Sequence, residues 1–311
     1  MSKFDFQASQ YVPFRDKEII AKCRAIKRED IEKHSNPHYN IKVYKDADMR
    51  YFWVTDMFVR IKNAAEAGEK IVIILPNPCP AYKYVAHLLN MCKINCKNLY
   101  GFAMDEYADE KGNIAPESWE FGFSHAMYKY FWSELDEAIR PPKSHFTCFT
   151  NSNLKDYGKM ITDLGGADVC YSGPGWTGHL AFIDPDAREF ATSSIEEWKT
   201  FGPRIVTLSP FTLAQNSLYG AFGKSGDLSA VPPKAATIGP AQVVEAKSRV
   251  QTMGITVHGT TTAWQRMIAR LVMHGPVTPL VPESLLQELG AKVMVTETIA
   301  QNIEPDWDKG Y

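Results

Sequence analysis

Gly173-Pro174-Gly175-Trp176-Thr177-Gly178-His179-Leu180-Ala181-Phe182-Ile183-Asp184-Pro185 follows directly on Asp168-Val169-Cys170-Tyr171-Ser172, a run with the composition of a buried strand. Three glycines, a histidine and a carboxylate share this one short loop. Glycine lets backbone N–H groups approach a ligand closely and permits positive φ, so Gly173, Gly175 and Gly178 are candidate binding residues. His179 and Asp184, five positions apart, are a candidate proton-transfer pair. A tight turn around a structural histidine is the other reading of the same spacing.

Upstream, Asn98–Met104 reads as a buried strand that ends on Asp105-Glu106-Tyr107. In parallel α/β sheets the ligand crevice lies beyond the carboxyl ends of the strands. Asp105 and Glu106 are therefore candidate bases, the alternative being two carboxylates that cap the next helix. Lys70–Pro76 is a continuous apolar run of the kind buried on both faces of a sheet. Around these strands the spacing predicts helices at Met49–Ala67 (ended by Gly68), Ala81–Met91, Pro116–Glu137 and Leu154–Leu164. Further strands are predicted at Ser144–Thr150, Ala236–Ile238, Gly254–His258 and Lys292–Thr296, with helices at Pro240–Val250, Thr261–Met273 and Glu283–Leu289. Alternation of this length predicts an α/β fold, a three-layer α/β/α Rossmann-like domain with a mostly parallel sheet. Residues 1–40 read as an N-terminal extension, with a short helix over Arg24–Lys33 and a turn at Ser35–His38. Residues 41–311 read as one domain.

Composition removes several function classes. A net charge of −2 leaves no basic field to attract nucleic acid or anionic lipid. No apolar run reaches the length of a membrane span, and Met1–Asp5 lacks the apolar core of a signal peptide, so the expected location is cytoplasmic. The six cysteines, at 23, 79, 92, 96, 148 and 170, have neither zinc-site spacing nor an evident disulfide pattern. His87, His125, His145, His258 and His274 occur singly, and no metal is expected. Trp119, Phe121, Phe123, Tyr128, Tyr130, Phe131 and Trp132 read as packing residues of one helical stretch.

Met104-Asp105-Glu106-Tyr107, the Gly-x-Gly-x-x-Gly-His-x-Ala-Phe pattern at 173–182, and Val231-Pro232-Pro233-Lys234-Ala235-Ala236-Thr237-Ile238-Gly239 occur in an order and spacing that resemble the glucosamine-6-phosphate deaminase/isomerase family. More distantly they resemble the 6-phosphogluconolactonases. The resemblance covers roughly residues 43–298. It implies ring opening of a sugar and proton movement between C2 and C1, with ammonia released as a 2-amino aldose becomes a ketose. By position it makes Asp105 the C2 base, Glu106 its supporting carboxylate, and His179 the acid/base at the ring oxygen. Asp184 stands where the family has a glutamate that orients the histidine. The resemblance implies no cofactor, since such proton transfer needs only positioned acids and bases. The expected partner is a small sugar, and a homo-oligomer is compatible with the sequence.

The chain also departs from that family. Thr177 replaces an aspartate, so the relay keeps one carboxylate instead of two, and Asp184 is one methylene short. The Gly-rich phosphate loop is replaced by Pro76-Asn77-Pro78-Cys79-Pro80, whose three prolines remove three donors. Pro76 and Asn77 remain as the loop's candidate substrate contacts. The family's phosphate-binding arginine aligns with Leu213 and its lysine with Thr262. Two lost charge-assisted contacts, at about 1.5–3 kcal/mol each, weaken a phosphorylated ligand about 100-fold or more. Trp176, where the family has a smaller or polar residue, has an indole suited to stacking on a sugar ring. Lys224, Lys234 and Arg249 are the candidate replacement cations, though nothing in the sequence aims them at the phosphate. The expected substrate is thus an amino sugar or related hexose lacking the 6-phosphate. An ordinary glucosamine-6-phosphate deaminase, a lactonase-like hydrolase and a non-catalytic sugar-binding protein are the alternatives.

Overall fold

The computed structural model describes residues 6–185, 187–254, 256–257, 260–261 and 265–305. In chain order the strands are β1 (Tyr39–Tyr44), β2 (Ile71–Leu75), β3 (Leu99–Ala103), β4 (Asp105–Ala108), β5 (Phe146–Thr147), β6 (Val169–Ser172), β7 (Arg204–Thr207), β8 (Lys234–Thr237), β9 (Arg249–Met253), β10 (Thr256–Val257), β11 (Thr260–Thr261) and β12 (Ala291–Thr296). The helices are α1 (Lys17–Ala25), α2 (Asp46–Glu66), α3 (Tyr82–Met91), α4 (Phe123–Tyr130), α5 (Tyr157–Asp163), α6 (Ile195–Trp198), α7 (Pro210–Asn216), α8 (Pro240–Glu245), α9 (Gln265–His274), α10 (Leu286–Leu289) and α11 (Glu297–Ala300).

Seven strands form one parallel sheet in the order β1-β12-β9-β6-β2-β3-β5. β2 is buried at all five positions, as its unbroken Ile-Val-Ile-Ile-Leu run requires of a strand covered on both faces. Helix α2 buries Met49, Trp53, Val54, Met57 and Ile61, the stripe of a 3.6-residue period. It ends where Gly68 adopts φ +70° and the N–H groups of Gly68 and Glu69 close on Ala65 and Ala64. Two hydrophobic clusters fill the molecule, one around Ile73, Leu75, Trp53 and Tyr82, the other around Ile74, Phe102, Tyr107 and Phe182.

A second sheet, β4-β8-β7, is antiparallel. Asp105 therefore does not close β3. It opens a new strand, after Met104 donates its N–H to Leu75 O and accepts from Ile238 N. Several predicted boundaries shift for identifiable reasons. The long helix over 116–137 is only α4 plus a 3-10 turn at Trp132–Glu134, because Gly122 is an extended N-cap (ψ 160°). The helix over 240–250 stops at Glu245, since the Arg249 guanidinium gathers the carbonyls of Val243, Val244 and Ala246. The sheet strand is β9, ahead of the predicted 254–258, where His258 lies outside the described residues. The predicted 144–150 strand shrinks to β5. The N-terminal helix is α1, capped by Asp16 accepting from Glu18 N and Ile19 N, so the 24–33 reading is displaced. β1 and β7 were not foreseen.

The N-terminal segment is tied to the C-terminal one. Arg270 on α9 is fully buried, and its guanidinium donates to the carbonyls of Ile26, Arg266, Ile299, Ala300 and Gln301. Arg28 makes a two-pronged contact with Glu297, both bonds 3.0 Å. Among the described residues no helix is long and apolar enough to cross a membrane.

Candidate active site

The parallel register sets the carboxyl ends of β2, β3, β6 and β9 side by side. Leu75 pairs with Ala103, which brings Pro76 and Asn77 next to Asp105; Ser172 pairs with Gln251 beneath the glycine loop. Tyr82 donates its hydroxyl to Pro76 O at 2.5 Å, and Asn77 Nδ2 reaches back to Leu75 O at 3.2 Å. Asn77 Oδ1 is buried and finds no hydrogen-bond partner among the described residues.

Asp105 is 6% exposed, and its Oδ1 has no hydrogen-bond partner among the described residues. Burial, then the neighbouring Glu106 charge, pushes its carboxyl well above the usual carboxylate range. Glu106 is fully buried and heavily bonded. It accepts from the N–H of Tyr107, Phe123 and Ser124 and from the Ser124 hydroxyl. Three of those donors belong to the first turn of α4, so Glu106 serves as that helix's cap in place of Gly122, which lacks a side chain. Burial raises the Glu106 carboxyl, while these donors pull it down. Asp105 thus has the uncommitted oxygen, and Glu106 the structural task.

The loop is folded against the same place. Asp105 pairs with Thr237 across β4 and β8, and Thr237 Oγ1 accepts from Phe182 N at 3.1 Å. His179, 7% exposed, has its Nδ1 3.6 Å from Asp184 Oδ1, beyond hydrogen-bond reach. Asp184 is held elsewhere. Its Oδ1 accepts from Thr177 (3.0 Å) and Thr212 (2.6 Å), and its Oδ2 from Ser209 N (2.9 Å). Burial pushes this carboxyl up, but His179, Thr212 and Ser209 outweigh it and hold it below the ordinary value.

Gly175 has φ +56°, and a Cβ there would lie 2.5 Å from His179 Nε2 and 2.7 Å from Gln215 Oε1. Gly178 (φ +78°) and Gly173 are closed in by Ile268 and Val281 and by the Thr252 carbonyl. Gln215 Oε1 accepts from Trp176 N at 2.7 Å, and its Nε2 donates to the Tyr219 hydroxyl at 3.0 Å. Gln265 Nε2 donates to Gly175 O from α9 at 3.3 Å. Trp176 itself is half-buried.

Ser209, Thr212, Gln215 and Asn216 were not singled out from the sequence. The signal was present: polar residues at 212, 215 and 216 share one helical face directly after a Ser-Pro start. α7 buries that polar face, while Leu213 is only half-buried against the core. Arg249 is consumed by backbone carbonyls, its guanidinium also reaching Leu289 O. Lys224 is exposed, Lys234 is half-buried at the start of β8, and Thr262 lies outside the described residues. Among the described residues no group of three or more His, Cys, Asp or Glu side chains is arranged to hold a metal ion.

No family model matches the chain. It is similar to the glucosamine-6-phosphate deaminase of Lachnoclostridium phytofermentans, 26% identical over 243 residues, which are 73% of this chain and 89% of that one. The Caenorhabditis elegans glucosamine-6-phosphate deaminase is 28% identical over 195 residues, 60% of this chain and 65% of that protein. The fold resembles that of a monomeric glucosamine-6-phosphate deaminase of the NagB superfamily, with a TM-score of 0.67 at 17% identity over 84% of this chain and 98% of that one. It also resembles 6-phosphogluconolactonase from Leishmania guyanensis, with a TM-score of 0.59 at 12% identity over 86% and 99%.

Proposed function

We propose that this chain is a divergent member of the glucosamine-6-phosphate isomerase/6-phosphogluconolactonase-like superfamily, a sugar isomerase/deaminase whose substrate lacks the 6-phosphate; the similarity to glucosamine-6-phosphate deaminases supports this reading. Asp105 takes the proton from C2 of an opened amino sugar or related hexose and returns one to C1. A raised carboxyl pKa suits that task, because a carboxylate reluctant to stay ionised is a stronger base. Glu106, fixed on the α4 N-terminus, holds the strand that carries Asp105. His179 moves a proton at the ring oxygen, and Asp184 fixes its loop through Thr177.

One observation carries the missing phosphate. The segments 76–80, 173–184 and 209–219, which wall the carboxyl ends of the strands, contain no lysine or arginine, and Arg249 is fully occupied elsewhere. A phosphate dianion there would find no lysine or arginine within these three segments to act as a charge-assisted donor.

The test is thermal stabilisation by matched sugars with and without a 6-phosphate, at equal concentration. A ligand of the folded state stabilises by RT ln(1 + [L]/Kd), so the ranking reads affinity directly. Stabilisation by unphosphorylated glucosamine or a related hexose, followed by turnover, supports the proposal. Preference for glucosamine 6-phosphate restores the ordinary deaminase, and stabilisation without turnover makes the chain a sugar-binding protein.

A further inference from the structure

Gln215 and Tyr219 have no role in the reaction proposed above, yet they stand beside the imidazole. Gln215 is buried on α7. Its Oε1 and His179 Nε2 both lie within 2.7 Å of the position that a Cβ on Gly175 would take, so amide and ring are neighbours across the bare Gly175 backbone. Tyr219, half-buried, follows one turn beyond Gln215. Tyr219 and Asp105 are, after burial, the largest influences raising the Tyr107 phenol, which brings the three groups together. Tyr107 Oη and Asp105 Oδ1 are themselves buried without a hydrogen-bond partner among the described residues.

The hydrogen bonds here run in one direction only. A backbone N–H can only donate, so the Gln215 atom that Trp176 N meets at 2.7 Å is the amide oxygen. That leaves Gln215 Nε2, a donor, 3.0 Å from the Tyr219 hydroxyl. The hydroxyl oxygen must accept there, and its own proton is left for another acceptor. Among the described residues Tyr219 Oη makes no second hydrogen bond. Burial pushes the phenol up to about 12, against the lowering effect of Gln215 and with the Asp105 charge adding to it, so the hydroxyl keeps that proton at neutral pH.

We propose that Tyr219 is a substrate-binding donor, aimed by Gln215 at a hydroxyl oxygen of the sugar on which Asp105 and His179 act. This rests on the reading of the cleft as a sugar site. A neutral phenol suits an uncharged partner: the sugar hydroxyl accepts from Tyr219 and keeps its own proton to donate elsewhere. The pair also selects, because a ligand without that oxygen would leave a buried donor unpaired. Tyr219 binds and transfers no proton.

Two variants test the assignment, with the same matched sugars and thermal stabilisation as the readout. Tyr219→Phe removes the hydroxyl. Gln215→Glu keeps an acceptor for Trp176 N but replaces the amide donor by a carboxylate oxygen, to which Tyr219 must give its proton. Each should weaken the sugar that best stabilises the parent by about tenfold, the worth of one hydrogen bond. The double variant should bind no more weakly than Gln215→Glu alone. Binding by Tyr219→Phe as tight as the parent's overturns the inference and leaves the sugar reading standing. An additive loss in the double variant also overturns it, since the two residues would then have separate tasks. No stabilisation of the parent by any of the sugars overturns both readings. If only the 6-phosphate binds, the unphosphorylated reading falls, and Tyr219→Phe decides the donor on that ligand. Ligand-free Tm reports whether each variant folds; should one fail to, the other decides alone.

Discussion

Thr177 donates its hydroxyl to Asp184 Oδ1 at 3.0 Å, the same oxygen that stands 3.6 Å from His179 Nδ1. The threonine thus takes part of the carboxylate that a histidine relay would otherwise claim. Asp184 is stabilised as an anion by His179 first, and then by the neutral donors Thr212 and Ser209. Its depressed pKa contributes stability that is present above the ordinary aspartate range and is lost as pH falls through the lower folded value.

Thr177→Val keeps the shape and removes the donor. We expect a loss of about 1.5–3 kcal/mol in urea unfolding at pH 7, the worth of a hydrogen bond to a charged group. The loss should fade in acid, where Asp184 is protonated. A neutral substitution at pH 7 would mean that Thr212 and Ser209 hold Asp184 without help.

Asp105→Asn should abolish turnover and leave ligand stabilisation nearly intact. Because burial raises this carboxyl when folded, its contribution to stability falls as pH rises through the folded pKa. The asparagine variant should therefore gain Tm relative to the parent between pH 4 and pH 8. Retained activity would remove Asp105 from the mechanism.

Glu283, buried in the 3-10 turn Pro282–Leu285 with the Ser172 hydroxyl donating to its Oε1, gives a prediction on stability through Glu283→Gln. With a folded pKa near 7 against an ordinary 4.5, the native carboxyl's contribution is full below about pH 4.5 and gone above about pH 7. At about 1.4 kcal/mol per pH unit this is of order 3 kcal/mol. The variant should lose less stability than the parent from pH 4 to pH 8. Parallel pH–Tm curves would contradict the raised carboxyl.

Gly175→Ala combines two penalties: a left-handed φ of +56°, and a Cβ 2.5 Å from His179 Nε2. The backbone alone costs about 1–2 kcal/mol. Denaturant unfolding should show at least that, with activity lost because the imidazole is displaced. Unaltered activity would mean that the ring is free to move.

The parallel sheet was legible because β2, β3, β6 and β12 are apolar runs that do not depend on distant partners. Asp105 and His179 stood out as candidates because one follows a strand and the other sits in a glycine loop. The second sheet was not. β4 follows β3 after one residue, Met104, and its separate identity comes only from pairing with β8 far along the chain. The end of α8 was hidden in the same way, since Arg249 caps it from the following strand. Glu283 read as the start of a helix. Its place under Gly178 depends on a turn more than a hundred residues downstream of that glycine.

Helix α9 gives the glycine loop a mechanical connection to both ends of the chain. Gln265 at its start holds the Gly175 carbonyl, and Arg270 further along grips Ile26 and residues 299–301. Shortening the chain at either end would strip acceptors from a guanidinium that has no water to turn to. The helix would shift to relieve it, and the peptide facing His179 would register the change. Trimming the chain back past Ile26 or residue 299 is thus a perturbation of the glycine loop transmitted through α9.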